Sequence, residues 1–256
     1  MSRRLLSGLL VLLLGQAVQA TETVTVSGSA EKAGSFAFTE GMRLHDVLLP
    51  ALVDPETYWL GAVWLHQPLR AEQRRLKAGV LFDLRTLERN ALLENRPDLA
   101  ETAARLSDKV RALPVTGRKV QVLDPIQVEL KGALNGRLAA GDRIDFPPRP
   151  TVVSIEGAVA RDCLLPHAPL RQARDYLQDC PALAVADPDY LFVIQPDGQV
   201  TRLGIALWNR DTGAPPAPGA RLLVPIQGST LGDATPDLNR ELAELLATQP
   251  PAGVTP

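Results

Sequence analysis

The sequence predicts an α+β protein of two similar units, each a small sheet wrapped on one helix. Three observations predict it. Short alternating runs end at glycine, the same ordered blocks occur twice, and proline is abundant between them. Thr23–Gly28 (TVTVSG) alternates and stops at Gly28, and Thr151–Gly157 (TVVSIEG) does the same at an offset of 129 residues. Alternation before a glycine is the pattern of a half-buried strand entering a turn. The block around Asp46 and Leu48 reappears around Asp175 and Leu177, again at 129. Gly141–Pro147 (GDRIDFP) matches Gly219–Pro225 (GARLLVP) at an offset of 78, which leaves 51 residues inserted in the first copy. Such self-similarity marks a repeated architecture.

The elements follow in order. Leu44, Val47, Leu48 and Ala51 fall on one face of a short helix, and Leu170, Ala173 and Leu177 are expected to do the same in the second copy. Tyr58–Leu65 reads as a strand, which would turn Trp59 away from Tyr58 and Trp64. Tyr190–Gln195, the turn Pro196-Asp197-Gly198 and a return through Val200–Trp208 read as a hairpin. The insertion, at about 67–113, carries two helical stripes. One is Leu69, Leu76, Val80, Leu84, Leu87 and Ala91; the other follows Pro97 with Leu99, Ala103, Leu106, Val110 and Leu113. Ten basic and seven acidic residues lie between Arg70 and Arg111. They read either as a basic surface for an acidic partner or as ordinary solvated faces. Near the end, Thr235 is expected to cap a helix with Pro236 in its first turn. Leu238, Leu242, Leu245 and Leu246 form the stripe of that amphipathic helix, and Pro250 ends it.

Composition narrows the class. Proline is 22 of 256 residues, against a usual share of about 5%, so a single long bundle is excluded. Apolar residues at 45% and charged residues at 22% describe a globular chain. A formal net charge of −2 gives no support to a nucleic-acid binder. Met1–Ala20 has Arg3 and Arg4 before an apolar run, Leu5–Leu14, too short to span a bilayer, and small residues at Val18-Gln19-Ala20. It reads as a signal peptide cleaved after Ala20, with an uncleaved anchor as the other reading. No later segment is apolar and long enough to cross a membrane. The mature chain is therefore expected to be exported and periplasmic, without a lipid anchor, since no cysteine lies near the cleavage site. Cys163 and Cys180 are the only cysteines. An even count in an oxidising compartment favours a disulfide, with two buried free thiols as the other reading.

The blocks together resemble the GfcC family of capsule and exopolysaccharide biosynthesis proteins. The residues that carry the resemblance are the paired strands Thr23–Gly28 and Val152–Val159, Leu113–Arg118 (LPVTGR), Gly141–Pro150, Pro196-Asp197-Gly198, Trp208-Asn209 and Pro218-Gly219-Ala220. The resemblance implies tandem β-grasp (ubiquitin-like, SLBB-like) domains, related to periplasmic domains of outer-membrane polysaccharide exporters. It also implies a helical insertion in the first domain and a C-terminal amphipathic helix. The corresponding domains run from 21 to 150 and from 151 to 227, with helix and tail from 228 to 256. The implied role is accessory to polysaccharide export or assembly. The partners would be a polysaccharide or lipid-linked glycan and an outer-membrane export protein.

Catalytic motifs are scarce. His45, His66 and His167 show no metal-ligand spacing, and no serine elbow or phosphate loop is present. No cofactor or metal is expected. Asp187-Pro-Asp189 reads as a turn more readily than as an acid–base pair. The candidate residues are therefore ligand-binding ones. Arg118 could clamp a carboxylate or phosphate with two parallel hydrogen bonds, or bind strand-end carbonyls. Trp208 and Asn209 pair a stacking face with an amide, although Trp208 could instead close the sheet core; Trp59 is a further candidate. Two other functions stay open. One is a polysaccharide-modifying enzyme using Arg118 as an anion clamp, and the other is a ligand-free structural adaptor. As a ligand clamp, Arg118 should be replaceable by alanine with the fold intact.

Overall fold

A computed structural model describes residues 22–252; the expected signal peptide and the last four residues lie outside it. Two five-stranded sheets form two domains. The first contains β1 (Thr23–Gly28), β2 (Gly34–Ala37), β3 (Val63–Leu65), β4 (Arg118–Lys119) and β5 (Arg143–Phe146), in the order β2-β1-β5-β3-β4. The second contains β6 (Val152–Gly157), β7 (Cys163–Pro166), β8 (Tyr190–Ile194), β9 (Val200–Gly204) and β10 (Arg221–Val224), in the order β7-β6-β10-β8-β9. The two orders are the same pattern. In each, the first and last strands pair in parallel at the centre, and every other pairing is antiparallel. That is the β-grasp arrangement.

The repeat read from sequence is a repeat in register. Gly28 stands opposite Phe146 and Gly157 opposite Val224, so the offsets of 129 and 78 recur in the pairing itself. Both glycines have positive φ, 84° and 109°, and a Cβ at either would overlap the carbonyl of its partner. Glycine is required here twice over, for the left-handed backbone and for the close approach.

The helices depart from strict repetition. In the first domain α1 (Leu44–Ala51) buries Leu44, Val47, Leu48 and Ala51 against Val24, Val26, Trp64, Ile144 and Phe146. In the second, the corresponding segment is a single 3-10 stretch, Ala173–Gln178, which buries Ala173 and Tyr176. With three residues per turn, positions three apart share a face, so the expected stripe fails. Leu170 lies outside this turn, 82% exposed with φ 61°. The expected strand at Tyr58–Leu65 is also shorter. Trp59 opens a 3-10 turn, Trp59–Gly61, and only Val63–Leu65 pairs, so strand alternation does not govern Trp59.

The insertion forms α2 (Arg70–Leu93) and α3 (Pro97–Ala112), with Pro97 in the first turn as its missing N–H allows. Although it interrupts the first domain, its apolar stripe packs with the second. A short α4 (Pro125–Leu130) packs on α1 in the first domain, whereas Val80, Leu84, Leu87, Leu99, Ala103 and Leu106 share one core with Val153, Ile155, Leu222 and the C-terminal helix α5 (Leu238–Ala247). This explains a difference in burial. Along β1, Val24 and Val26 are buried while the residues between them are not, whereas Leu191–Ile194 of β8 are buried throughout. A continuous apolar strand is one covered on both faces. Thr235 does not cap α5; its hydroxyl donates to the Leu231 carbonyl, and the helix starts after Asp237. Beyond α5 the chain from Thr248 to Ala252 is buried, and the Ala252 N–H donates to the Gly219 carbonyl.

Cys163 and Cys180 are joined in a disulfide that ties β7 to the end of the 3-10 stretch. Their separation of 17 residues sets a chain-entropy contribution of about 3 kcal/mol. Reduction, or Cys163→Ser with Cys180→Ser, is expected to lower stability by about that amount. Urea unfolding with and without reductant measures it, and unchanged midpoints would count against the bond as a stabilising tie.

Candidate functional site

Arg118 lies in β4 and is 3% exposed. Its Nη1 donates to the carbonyls of Gln249 (2.6 Å) and Ala247 (3.3 Å), and its Nη2 to the carbonyl of Pro196. Nε has no partner among the described residues. These carbonyls belong to the end of α5, the tail after it and the β8–β9 turn. Helix ends leave carbonyls without intrahelical partners, and a guanidinium suits them in charge and geometry. Neighbouring bonds join the same pieces. Thr116 Oγ1 donates to the Thr248 carbonyl (2.7 Å), and Gln249 Nε2 to that of Pro114 (3.2 Å). Tyr58 Oη donates to Pro218 (2.8 Å), and burial pushes its pKa up to about 12. Gly198, with φ 89°, lets Val120 and the Ala247 carbonyl close over the turn. Burial pushes Arg118 down to about 10, which leaves it charged at neutral pH. In this position the guanidinium is buried and both Nη groups are engaged by backbone carbonyls.

Trp208 is placed oppositely. It is 71% exposed, beside Leu207 at 86%, so it does not close the sheet core. β9 ends at Gly204, and the chain turns back over Asp189. The Ile205 N–H and Asn209 Nδ2 both donate to the Asp189 carbonyl, while Asn209 Oδ1 accepts from the Ala206 N–H at 3.0 Å. Trp208 Nε1 donates to Asp189 Oδ1 at 3.1 Å. The indole is thus held by its edge, near-perpendicular to the Tyr190 ring at 6.4 Å. Arg202 lies over that same tyrosine, 3.5 Å from its centroid.

Tyr190 and Arg202 also line a cleft of about 530 Å³ with Asp187, Phe192, Arg240 and Glu244. Its size suits a ligand of a few sugar rings or less, given typical pockets of roughly 300–1,000 Å³. Asp187 is engaged in the turn, accepting from the Asp189 and Tyr190 N–H groups. Trp208 and Asn209 do not line this cleft, which the sequence did not reveal; the Trp208 indole adjoins it through its edge contact with Tyr190. Arg118 and Trp59 are not among its lining residues; Trp59 is half-buried on the first domain.

Among the described residues, one histidine–carboxylate contact sets His66 Nδ1 against Asp142 Oδ2 at 2.7 Å. Asp142 is fully buried and also accepts from Trp64 Nε1 and the N–H groups of Gln67 and Ala139, which makes it a structural hub of the first domain. No group of three or more candidate metal ligands occurs among the described residues, nor any helix long and apolar enough to cross a membrane.

Two β-grasp sheets with one pairing pattern, an insertion between their strands and an exposed aromatic corner define the class: a tandem β-grasp protein. The family model "Capsule biosynthesis GfcC, N-terminal" matches residues 20–143, and "Capsule biosynthesis GfcC C-terminal" matches residues 162–251. The chain belongs to the GfcC capsule biosynthesis family. It is also similar to the protein YjbG of Escherichia coli (strain K12), 29% identical over 195 residues, covering 76% of this chain and 78% of that one. Membership supports a role in capsule or exopolysaccharide assembly. The family and the disulfide suggest an extracytoplasmic protein.

Proposed function

We propose that the protein is a periplasmic accessory factor that binds glycan, or the export machinery that carries it, during capsule or exopolysaccharide assembly. The observation that carries this reading is the exposed indole of Trp208, fixed by its N–H to Asp189 beside a cleft with both charges. A held, solvent-facing aromatic plane offers sugar C–H faces a stacking surface without the cost of ordering it on binding. Asn209 shapes the corner, and Arg202 and Arg240 supply donors for hydroxyl or acidic groups. Arg118 serves the site from a distance, by fixing the β8–β9 turn against α5.

Trp208→Ala is expected to weaken glycan binding by about fivefold or more, at about 1–3 kcal/mol per stacked ring, with thermal stability unchanged. Titration calorimetry against oligosaccharides of the host's surface polymer tests it, alongside polymer yield in a strain carrying the variant. Full binding and yield in the variant would remove the corner from the site.

A further inference from the structure

The insertion carries ten basic residues, and the structure sorts them into two sets. Six have partners within the fold. Lys77 donates to the Arg111 and Leu113 carbonyls, Arg105 to those of Gly157 and Val159, and Arg70 to Gln67. Lys109, Arg111 and Arg96 pair with carboxylates. Arg74, Arg75, Arg85 and Arg89 have no hydrogen-bond or ion-pair partner among the described residues, and all four are exposed on α2.

These four share one face. At 100° per residue they fall, with Phe82 and Leu93, within an arc of about 100°. Phe82 is 67% exposed and Leu93 82%. No acidic residue lies in the arc; Glu72 and Glu88 stand on its flanks. From Arg74 to Arg89 the row runs about 22 Å at 1.5 Å per residue. An ordinary solvated face mixes signs, because like charges four apart, as Arg85 and Arg89 are, disfavour the helix. The whole chain is net negative, so composition does not account for the row.

We infer that the outer face of α2 is a docking track for a linear polyanion, namely a carboxylate-bearing polysaccharide strand. The charged residues are all arginine, whose planar fork matches carboxylates bidentately where lysine offers a point charge. Phe82, midway along the row, offers an apolar plane for a sugar ring between the charges. A membrane surface fits less well. The broad apolar face of α2, with Val80, Leu84, Leu87 and Ala91, is buried in the protein and unavailable for insertion. That the polyanion is a glycan rests on the function proposed above; that a polyanion docks here rests on α2 alone.

The test uses the full mature chain with polygalacturonate, neutral dextran and phosphatidylglycerol vesicles as probes. Polygalacturonate is expected to bind, to weaken as salt is raised, and to lose about tenfold or more in affinity when Arg74, Arg75, Arg85 and Arg89 are all changed to Gln. The variant should melt like the parent and keep the parent's binding of the surface-polymer oligosaccharides at the Trp208 corner, so that failure at the cleft and failure at the track are separable. Equal affinity of the parent and the fourfold variant would overturn the proposal. So would binding to vesicles without binding to polygalacturonate, which would reassign the face to a membrane, or equal binding of dextran.

Discussion

Arg118→Ala is expected to cost about 3–5 kcal/mol of stability rather than leave a folded protein that has merely lost a ligand. The change strands three carbonyls, of Pro196, Ala247 and Gln249, in a buried junction, each with a penalty of about 1–3 kcal/mol that relaxation partly offsets. At roughly 2–4 °C per kcal/mol for a chain of this size, the melting temperature should fall by about 10 °C. Arg118→Met separates the contributions, because it keeps most of the apolar stem and none of the donors. It should remain nearly as unstable as the alanine variant. Since the junction fixes the β8–β9 turn and the end of α5, glycan binding at Trp208 should weaken in both variants in proportion to the loss of order. A variant that melts like the parent yet no longer binds glycan would contradict this account and restore the arginine as a ligand clamp.

Glu156→Ala should be of comparable size. Glu156 is 2% exposed in β6 and lies between Arg221 of β10, at 3.3 Å, and Lys109 of α3. Lys109 also reaches Asp162, and Arg221 also donates to the Pro250 carbonyl at 2.8 Å. The carboxylate thus joins the insertion and the second sheet, and Arg221 carries the link to the C-terminal tail. Removing the middle member leaves the largely buried Arg221 guanidinium without its carboxylate, while Lys109 keeps Asp162, at a cost of up to about 3–5 kcal/mol. The pH dependence has a definite sign. Burial pushes the Glu156 pKa up, but Arg221 and Lys109 outweigh it and hold the group below its ordinary value of 4.5. A lowered folded pKa gives stability that is complete above the unfolded value and is lost as pH falls through the folded one. The stability difference between the parent and Glu156→Gln should therefore be constant above about pH 5 and shrink below 4.5. Denaturant titrations at pH 7, 5 and 3.5 measure it; a difference that grows on acidification would refute the assignment.

These two residues show what a sequence conceals. Glu156 and Arg118 sit in short strand motifs that look alike for binding and for bracing. The motif around Arg118 was legible, but its partners were not, because a backbone carbonyl carries no residue identity. Trp208 posed the converse problem. Its exposure depends on β9 ending at Gly204, where a Cβ would overlap the Asn209 carbonyl, and on the turn being held by Asp189 nineteen residues earlier. The strand expected at Trp59 fails for a local reason, since one 3-10 turn breaks the alternation on which a strand argument depends.

The sequence by itself determined the duplicated plan. Strand alternation and the glycines at 28 and 157 are local requirements of backbone geometry, so they repeat wherever the geometry repeats. The amphipathic stripes of α2, α3 and α5 were legible for the same reason, because helical period is a property of neighbours along the chain. Only the tertiary structure decided which surface each stripe covers. The insertion leaves the first sheet and closes the second, because β8 and β10 present apolar residues on both faces while β1 presents them on one. That choice is made by burial across the molecule, and it leaves the arginine row of α2 facing water.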